Sequence, residues 1–492
     1  MALETEIKLS LPPRAAARLA KHPLLAGVPP LRQKLLNTYY DTPDRRLQRE
    51  RVAVRYRKKG RQWLFTVKSA APSAGGLACR NEWEAPGQPG EFDFAQVDDP
   101  KLRKRLEALR GDLAPAFSTD FTRSAWLLET QAGARIELAL DRGWIEAAGR
   151  RQAICEVELE LISGDVGTLF STALALLADL PLHPEAPSKA ERGYRLFADA
   201  RPEPVKARST ALDPRMHPAA AFRAVALNCI AHLQGNEQGV RESNAPEFIH
   251  QARVAIRRLR SAIRVWQAQL PADFVAAFDA RWRTLATLLG EARNRDVFLT
   301  ETLPALRESG AGRSALDRLT RDAHKRSASS HRQARRALGA SDYSRLLLEF
   351  TAAVLALPED SAPPLETFAR RCLEKRAKRV AERARESRHA DAAARHRLRI
   401  ALKRLRYALE FFAPLFPDRQ LQTHHQAASG LQDILGRLND LEVAGQFIAE
   451  ALPEKLSAPL LTELTRRNEA MQHELAPRLE AFLQLAPPWQ HH

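Results

Sequence analysis

Ile154-Cys155-Glu156-Val157-Glu158-Leu159-Glu160-Leu161 alternates apolar and acidic side chains, broken only at its first step by Cys155. Successive side chains on a strand point to opposite faces, so one face here is aliphatic and the other carries three carboxylates. The same period of two runs through Leu3–Leu9, Arg51–Lys58, Trp63–Lys68, Arg80–Glu84 and Ala134–Asp141. Thr38–Tyr40 and Phe121–Thr130 read as further strands, with helical segments at about Pro13–Lys21, Lys101–Leu109 and Asp165–Leu180.

What sets these strands apart is the second face. Glu4, Glu6 and Lys8 share one, as do Arg55 and Arg57, and then Arg80, Glu82 and Glu84. On an open sheet such a face meets water. In a closed barrel it lines a wet, charged bore and the apolar face needs helices outside it. The pattern alone leaves both arrangements open. If the strands converge, Glu4, Glu6, Glu156 and Glu158 repel one another unless a hard cation sits among them, and Mg²⁺ or Mn²⁺ suits oxygen ligands. Lys8, Arg55, Arg57, Lys68, Arg80, Arg123 and Lys189 are then the candidate grips for a triphosphate, arginine binding phosphate oxygens bidentately and lysine acting as a compact charge. Glu160 is an alternative to one of the acidic pair on its strand. No Walker loop or glycine-rich phosphate cradle is present.

Prolines at 184, 187, 202, 204, 214 and 218 interrupt the chain and place a linker at about 201–215. Beyond it Ala, Leu, Arg and Glu dominate, and the pattern is helical. The expected helices include Ala272–Leu289, Tyr343–Leu355, Leu421–Leu435 and Asp440–Leu452. Residues 250–260 (HQARVAIRRLR) and 396–406 (HRLRIALKRLR) repeat one pattern, and forty positions after each histidine comes Gly290 or Gly436. Two copies in register at an offset of 146 residues indicate two homologous helical halves, about 216–345 and 365–485. At 100° per residue His250, Arg253, Arg257, Arg260 and Arg264 fall on one arc, while Leu259, Ile263 and Trp266 face elsewhere. His396, Arg399, Lys403 and Arg406 form the matching arc, with Leu402, Leu405 and Leu409 turned away. Like charges so placed cost a few tenths of a kcal/mol per pair, which a bound polyanion would offset.

The whole chain of 492 residues carries a formal charge of +17, of which +13 lies after residue 200. That balance points to an anionic partner and says nothing of fold. The arcs hold no aromatic residues for base stacking, so nucleic acid suits them less well than inorganic polyphosphate. Four scattered cysteines without a CxxC pair argue against a disulfide framework or a zinc site. The charged start MALETEIKLS and the short apolar run Thr168–Leu182 point to a protein without membrane spans. The expected location is the cytoplasm, with association to polyphosphate granules.

Taken in order, Glu4-Thr5-Glu6-Ile7-Lys8, Thr38-Tyr39-Tyr40-Asp41-Thr42, Arg55-Tyr56-Arg57, Thr66-Val67-Lys68, Ile136-Glu137-Leu138 with Asp141, Glu156-Val157-Glu158 and Ser188-Lys189 with Arg192-Gly193-Tyr194 resemble a CYTH domain, of the triphosphate tunnel metalloenzyme family, over residues 1–200. Residues 216–485 resemble a CHAD domain through the His250/Arg253 and His396/Arg399 helices. The resemblance implies an α+β chain, with an eight-stranded antiparallel β tunnel and outer helices followed by an all-α duplicated bundle. It also implies Mg²⁺- or Mn²⁺-dependent hydrolysis of inorganic triphosphate in the tunnel and polyphosphate binding by the helices. A non-catalytic polyphosphate-binding protein and a thiamine-triphosphatase or adenylyl cyclase in the same fold are the alternatives.

Overall fold

The computed structural model describes residues 2–69, 73–130, 133–310, 312–359, 362–387, 392–416, 419–487 and 489. Two compact units emerge: Met1–Glu203 together with Gly339–Ala356, and Pro204–Leu338 together with Leu357–His492.

The first unit is built on eight long strands: β1 (Ala2–Ser10), β2 (Leu31–Asp41), β3 (Val52–Lys59), β4 (Gln62–Ser69), β5 (Leu77–Pro86), β6 (Ala114–Glu129), β7 (Arg135–Ala147) and β8 (Arg150–Ser163). They run in the order β1-β8-β7-β6-β2-β3-β4-β5, every pair antiparallel, and β5 returns to β1 to close the barrel. Of the two arrangements the alternation allowed, the closed one forms. The aliphatic faces point outward and are covered. Ile7, Leu9, Ile136, Leu138, Val157 and Leu159 pack beneath the helix Gly167–Asp179. Val54, Tyr56, Phe65, Val67 and Trp83 pack beneath the helix Pro100–Leu109. Burying an aliphatic side chain contributes about 1.5–3 kcal/mol. These outer clusters supply the hydrophobic stabilisation that an ordinary barrel draws from its interior.

In chain order the helices of eight residues or more are α1 (Pro100–Leu109), α2 (Gly167–Asp179), α3 (Lys189–Phe197), α4 (Pro218–Glu242), α5 (Pro246–Val265), α6 (Ala272–Val297), α7 (Arg313–Leu338), α8 (Ser341–Leu355), α9 (Leu365–Ser387), α10 (Ala392–Phe412), α11 (Arg419–Ala451) and α12 (Glu454–Leu483). Two sequence expectations need correcting. Leu421–Leu435 and Asp440–Leu452 are one helix, α11, and Ala272–Leu289 runs on to Val297. Both errors fall at a glycine followed by polar residues, where the helix continues because packing outweighs a cost of about 1 kcal/mol for glycine. Helix α8 differs in another way. It falls within the 216–485 span read as the second domain, mostly between its two halves, yet it packs with the first unit, its Leu348 joining the cluster of Ile7 and Leu9. No helix among the described residues is long and apolar enough to cross a membrane.

Candidate active site and cationic helical face

The charged strand faces enclose a cavity of about 580 Å³. Leu35, Tyr39, Phe117, Phe121, Ile145 and Ile154 form an apolar cluster with Tyr194 of α3. Gly193 lets α3 approach so closely that a Cβ there would lie 2.1 Å from the Phe117 ring. Helix α3 begins in a capping box between Ser188 and Glu191, which fixes where Lys189 enters the cavity. In the TYYDT stretch, Asp41 accepts hydrogen bonds from Thr42 N, Leu47 N and Gln48 N at 2.7–2.9 Å. It therefore caps the short helix Arg46–Glu50 rather than facing the cavity.

Glu4, Glu6, Glu158 and Glu160 line the cavity, as do Lys8, Arg55, Arg57, Lys68, Arg80, Arg123 and Lys189. Glu6 sits opposite Glu160 and Lys8 opposite Glu158 across the β1–β8 ladder, and Glu137 lies on the far side of Glu160. Lys68 Nζ bridges Glu4 at 2.8 Å and Glu82 at 2.9 Å, and Arg80 holds Glu6 at 2.5 Å. Arg123 grips Asp141 through two bonds of 2.7–2.8 Å and also reaches Glu158.

The two least committed cations are Arg57, 3.8 Å from Glu84, and Lys8, 3.7 Å from Glu6. Burial, with Arg55 and Arg123 nearby, pushes the Arg57 guanidinium down to about 10. An anion beside it would reverse that shift.

The carboxylates divide into two groups. Asp141, Glu156 and Glu158 offer oxygens within 4.8 Å of one another, the tightest acidic cluster among the described residues. That cluster already holds a cation: Lys189 Nζ lies 2.6 Å from Asp141, 2.6 Å from Glu156 and 2.9 Å from Glu158. Glu156 also binds Arg192 at 2.7 Å and is 1% exposed. Glu156, read from sequence as a metal ligand, is thus tied to α3 and absent from the cavity lining, although its oxygens belong to the acidic group close enough to share a metal ion. Glu158 has one foot in each group. Burial alone would raise its pKa, but Lys189, Arg123 and Lys8 hold it well below the usual carboxylate range.

Glu160 is the opposite case. It has no ion-pair partner among the described residues, and desolvation with Glu4 and Glu137 nearby pushes it up to about 7. A carboxyl in that condition, between Glu4, Glu6 and Glu158, fits a divalent cation with oxygen ligands.

In the second unit the repeat helices α5 and α10 come together. Arg257 Nε donates to Tyr407 Oη at 2.5 Å, and Arg258 Nε to Glu410 at 2.6 Å. Leu259, Ile263, Trp266, Leu402, Leu405 and Leu409 are all buried, as their arcs required. Arg253, Arg257, Arg399 and Lys403 act on one another electrostatically, and among the described residues none has a carboxylate within 4.0 Å. Burial, reinforced by Arg399, Arg257, Arg264 and Arg260, pushes the Lys403 ammonium down to about 7.

The other candidates are more occupied or differently placed. Arg260 and Arg264 share Asp279, and Arg406 bonds Gln432 and Glu410. His396 is exposed. His250 is half-buried and pushed down to about 4 by desolvation and Arg293, so at neutral pH it adds no charge to the arc. Gly290 has a reason to be glycine: a Cβ there would lie 2.6 Å from Arg253 Nη1. Gly436 has open space at the equivalent point. Sequence reasoning missed the buried Arg258, which stitches α5 to α10, because its position lies outside the repeated basic arc.

The model of the CYTH domain matches residues 2–194, and that of the CHAD domain matches residues 224–449. The chain carries a CYTH domain followed by a CHAD domain. Over 200 residues it is 35% identical to the inorganic triphosphatase of Haemophilus influenzae, a match covering 40% of this chain and 55% of that protein. The chain thus spans about half the length of this curated relative. The crystal structure of the CHAD domain from the plant Ricinus communis is 32% identical, with a TM-score of 0.50, over 59% of this chain and 97% of that one. A Hippeastrum protein described as having a dominant triphosphatase activity is 19% identical, with a TM-score of 0.31, over 40% of this chain and 97% of that one.

Proposed function

We propose that the CYTH tunnel hydrolyses inorganic triphosphate to diphosphate and phosphate with Mg²⁺ or Mn²⁺, and that the face shared by α5 and α10 binds inorganic polyphosphate. The observation that carries the first part is the enclosure of Lys8, Arg55, Arg57 and Arg123 beside a carboxyl, Glu160, that has no ion-pair partner among the described residues. The named activity of the Haemophilus relative supports the same reading. Glu4, Glu6, Glu158 and Glu160 would hold the cation, with Glu160 in place of Glu156. When bound, the cation supplies charge neutralisation at phosphate oxygens and acidifies a coordinated water.

The remaining chemistry is positioning and electrostatics, as phosphoryl transfer requires. Arg57 and Lys8, whose nearest carboxylates stand 3.8 Å and 3.7 Å away, take the phosphate oxygens. Arg123 and Lys189 are fixed by Asp141 and Glu158, so they present their charge without reorganising.

The experiment is phosphate release from tripolyphosphate by the purified full chain, with Mg²⁺ and with Mn²⁺. Glu160→Gln and Arg57→Ala are each expected to lower kcat/KM by on the order of 100-fold. An inactive wild type, or full activity in both variants, would falsify the proposal. Polyphosphate binding is tested separately on Arg253→Ala combined with Arg399→Ala, which should abolish retention on immobilised polyphosphate while tripolyphosphate turnover is preserved.

A further inference from the structure

The backbone of Lys8 is gripped at both its N–H and its C=O, on the edge of β1 away from β8, by segments that belong to no long strand. Lys8 N donates to Gly76 O at 3.0 Å, and Lys8 O accepts from Glu185 N at 2.9 Å. The next residues, Leu9 and Ser10, pair with Pro184 and His183.

Both gripping segments rest on α8. Ser344 Oγ lies 3.2 Å from His183 Nδ1, and the Tyr343 ring stands 5.9 Å from the His183 ring. Gly75 abuts Thr351 so tightly that a Cβ would fall 2.0 Å from its Oγ1, and the left-handed φ of +64° disfavours a side chain there as well. Ser344 and Thr351 are fully buried, and Leu348 shares a core cluster with Ile7 and Leu9 on either side of Lys8. More than three hundred positions separate α8 from β1 in the sequence.

We infer that α8 is a positioning element of the tunnel: through Thr351 on Gly75 and Ser344 on His183 it fixes the stretch of β1 that aims Lys8 into the cavity. The inference rests on reading the cavity as a triphosphate site. A lysine that must meet a phosphate oxygen tolerates little displacement, since a shift of about 1 Å can cost on the order of 100-fold in rate. The CYTH domain thus borrows a brace from a part of the chain that the CHAD domain match spans.

The test is a double-mutant cycle on the full chain between Thr351→Phe, which crowds Gly75, and Lys8→Met. Thr351→Phe should lower kcat/KM for tripolyphosphate by roughly tenfold or more. In the Lys8→Met background the same change should cost less than about twofold, because the two act through one group. Equal losses in both backgrounds, or wild-type kcat/KM in Thr351→Phe, overturn the inference. Ser344→Ala with His183→Ala gives a milder cycle should Thr351→Phe fail to fold, and the same two outcomes decide it. A wild type without turnover defeats the functional reading instead. Positioning is then read from the rate of amine labelling at Lys8 by mass spectrometry, where an unchanged rate in the α8 variants overturns it.

Discussion

A carboxyl with no ion-pair partner among the described residues, Glu160, is the most informative residue in the tunnel. Glu160 is pushed up to about 7 against an ordinary value of 4.5, first by desolvation and then by Glu4 and Glu137. A carboxyl raised on folding contributes stability that is fully present below its unfolded pKa and lost as pH rises through about 7. In chelator, thermal scans should therefore show Tm falling between pH 5 and 8. Glu160→Gln should flatten that slope, and Mg²⁺ should reduce it by pairing the ionised form. A Tm that is level across the range in chelator would show that Glu160 has found a cation within the chain. The neighbouring Glu156 illustrates what sequence withholds at this scale. Period two places Glu156, Glu158 and Glu160 on one face equally well. Depth along the bore is invisible until α3 is placed, and of the three glutamates Glu156 takes both Lys189 and Arg192.

Among the elements, α5 and α10 show how a repeat brings two basic arcs together. Each helix hides its leucines and turns its basic arc to the same region, and the cost surfaces at Lys403, whose ammonium is pushed down to about 7. Anion binding favours the charged amine, so above pH 7 complex formation must take up a proton. Polyphosphate affinity should weaken as pH rises through 7, by up to about tenfold per unit from this one group. Lys403→Met should bind less tightly and lose that part of the pH dependence. Calorimetry in buffers of different ionisation enthalpy measures the proton directly, and zero uptake at pH 8 would contradict the assignment. The arcs themselves were legible from sequence, because 100° spacing needs no tertiary information. Their internal division was not. Asp279 takes Arg260 and Arg264 out of play through a contact between helices that no local pattern encodes. The extent of α11 was lost for the converse reason, a glycine that reads as a stop and is carried through by packing.

At the scale of the whole molecule the charge is lopsided, +13 of the +17 following residue 200. Polyphosphate retention should accordingly fall steeply between about 50 and 200 mM salt, as counterion release demands. Tripolyphosphate turnover in the enclosed tunnel should respond less, since buried charges are poorly screened. Parallel titrations of both functions against NaCl test this, and identical salt slopes would argue for a single shared anion site. The order of motifs was enough to read the tunnel and the helical repeat. The membership of α8 was not, because a helix of ordinary amphipathic pattern carries no mark of which core it joins.

The cavity holds about 580 Å³ and is lined by charge from every wall. On the proposed triphosphate reading, a phosphate chain longer than the bore leaves its outer phosphates in solvent, so selectivity for chain length should follow from the size of the chamber rather than from any single side chain.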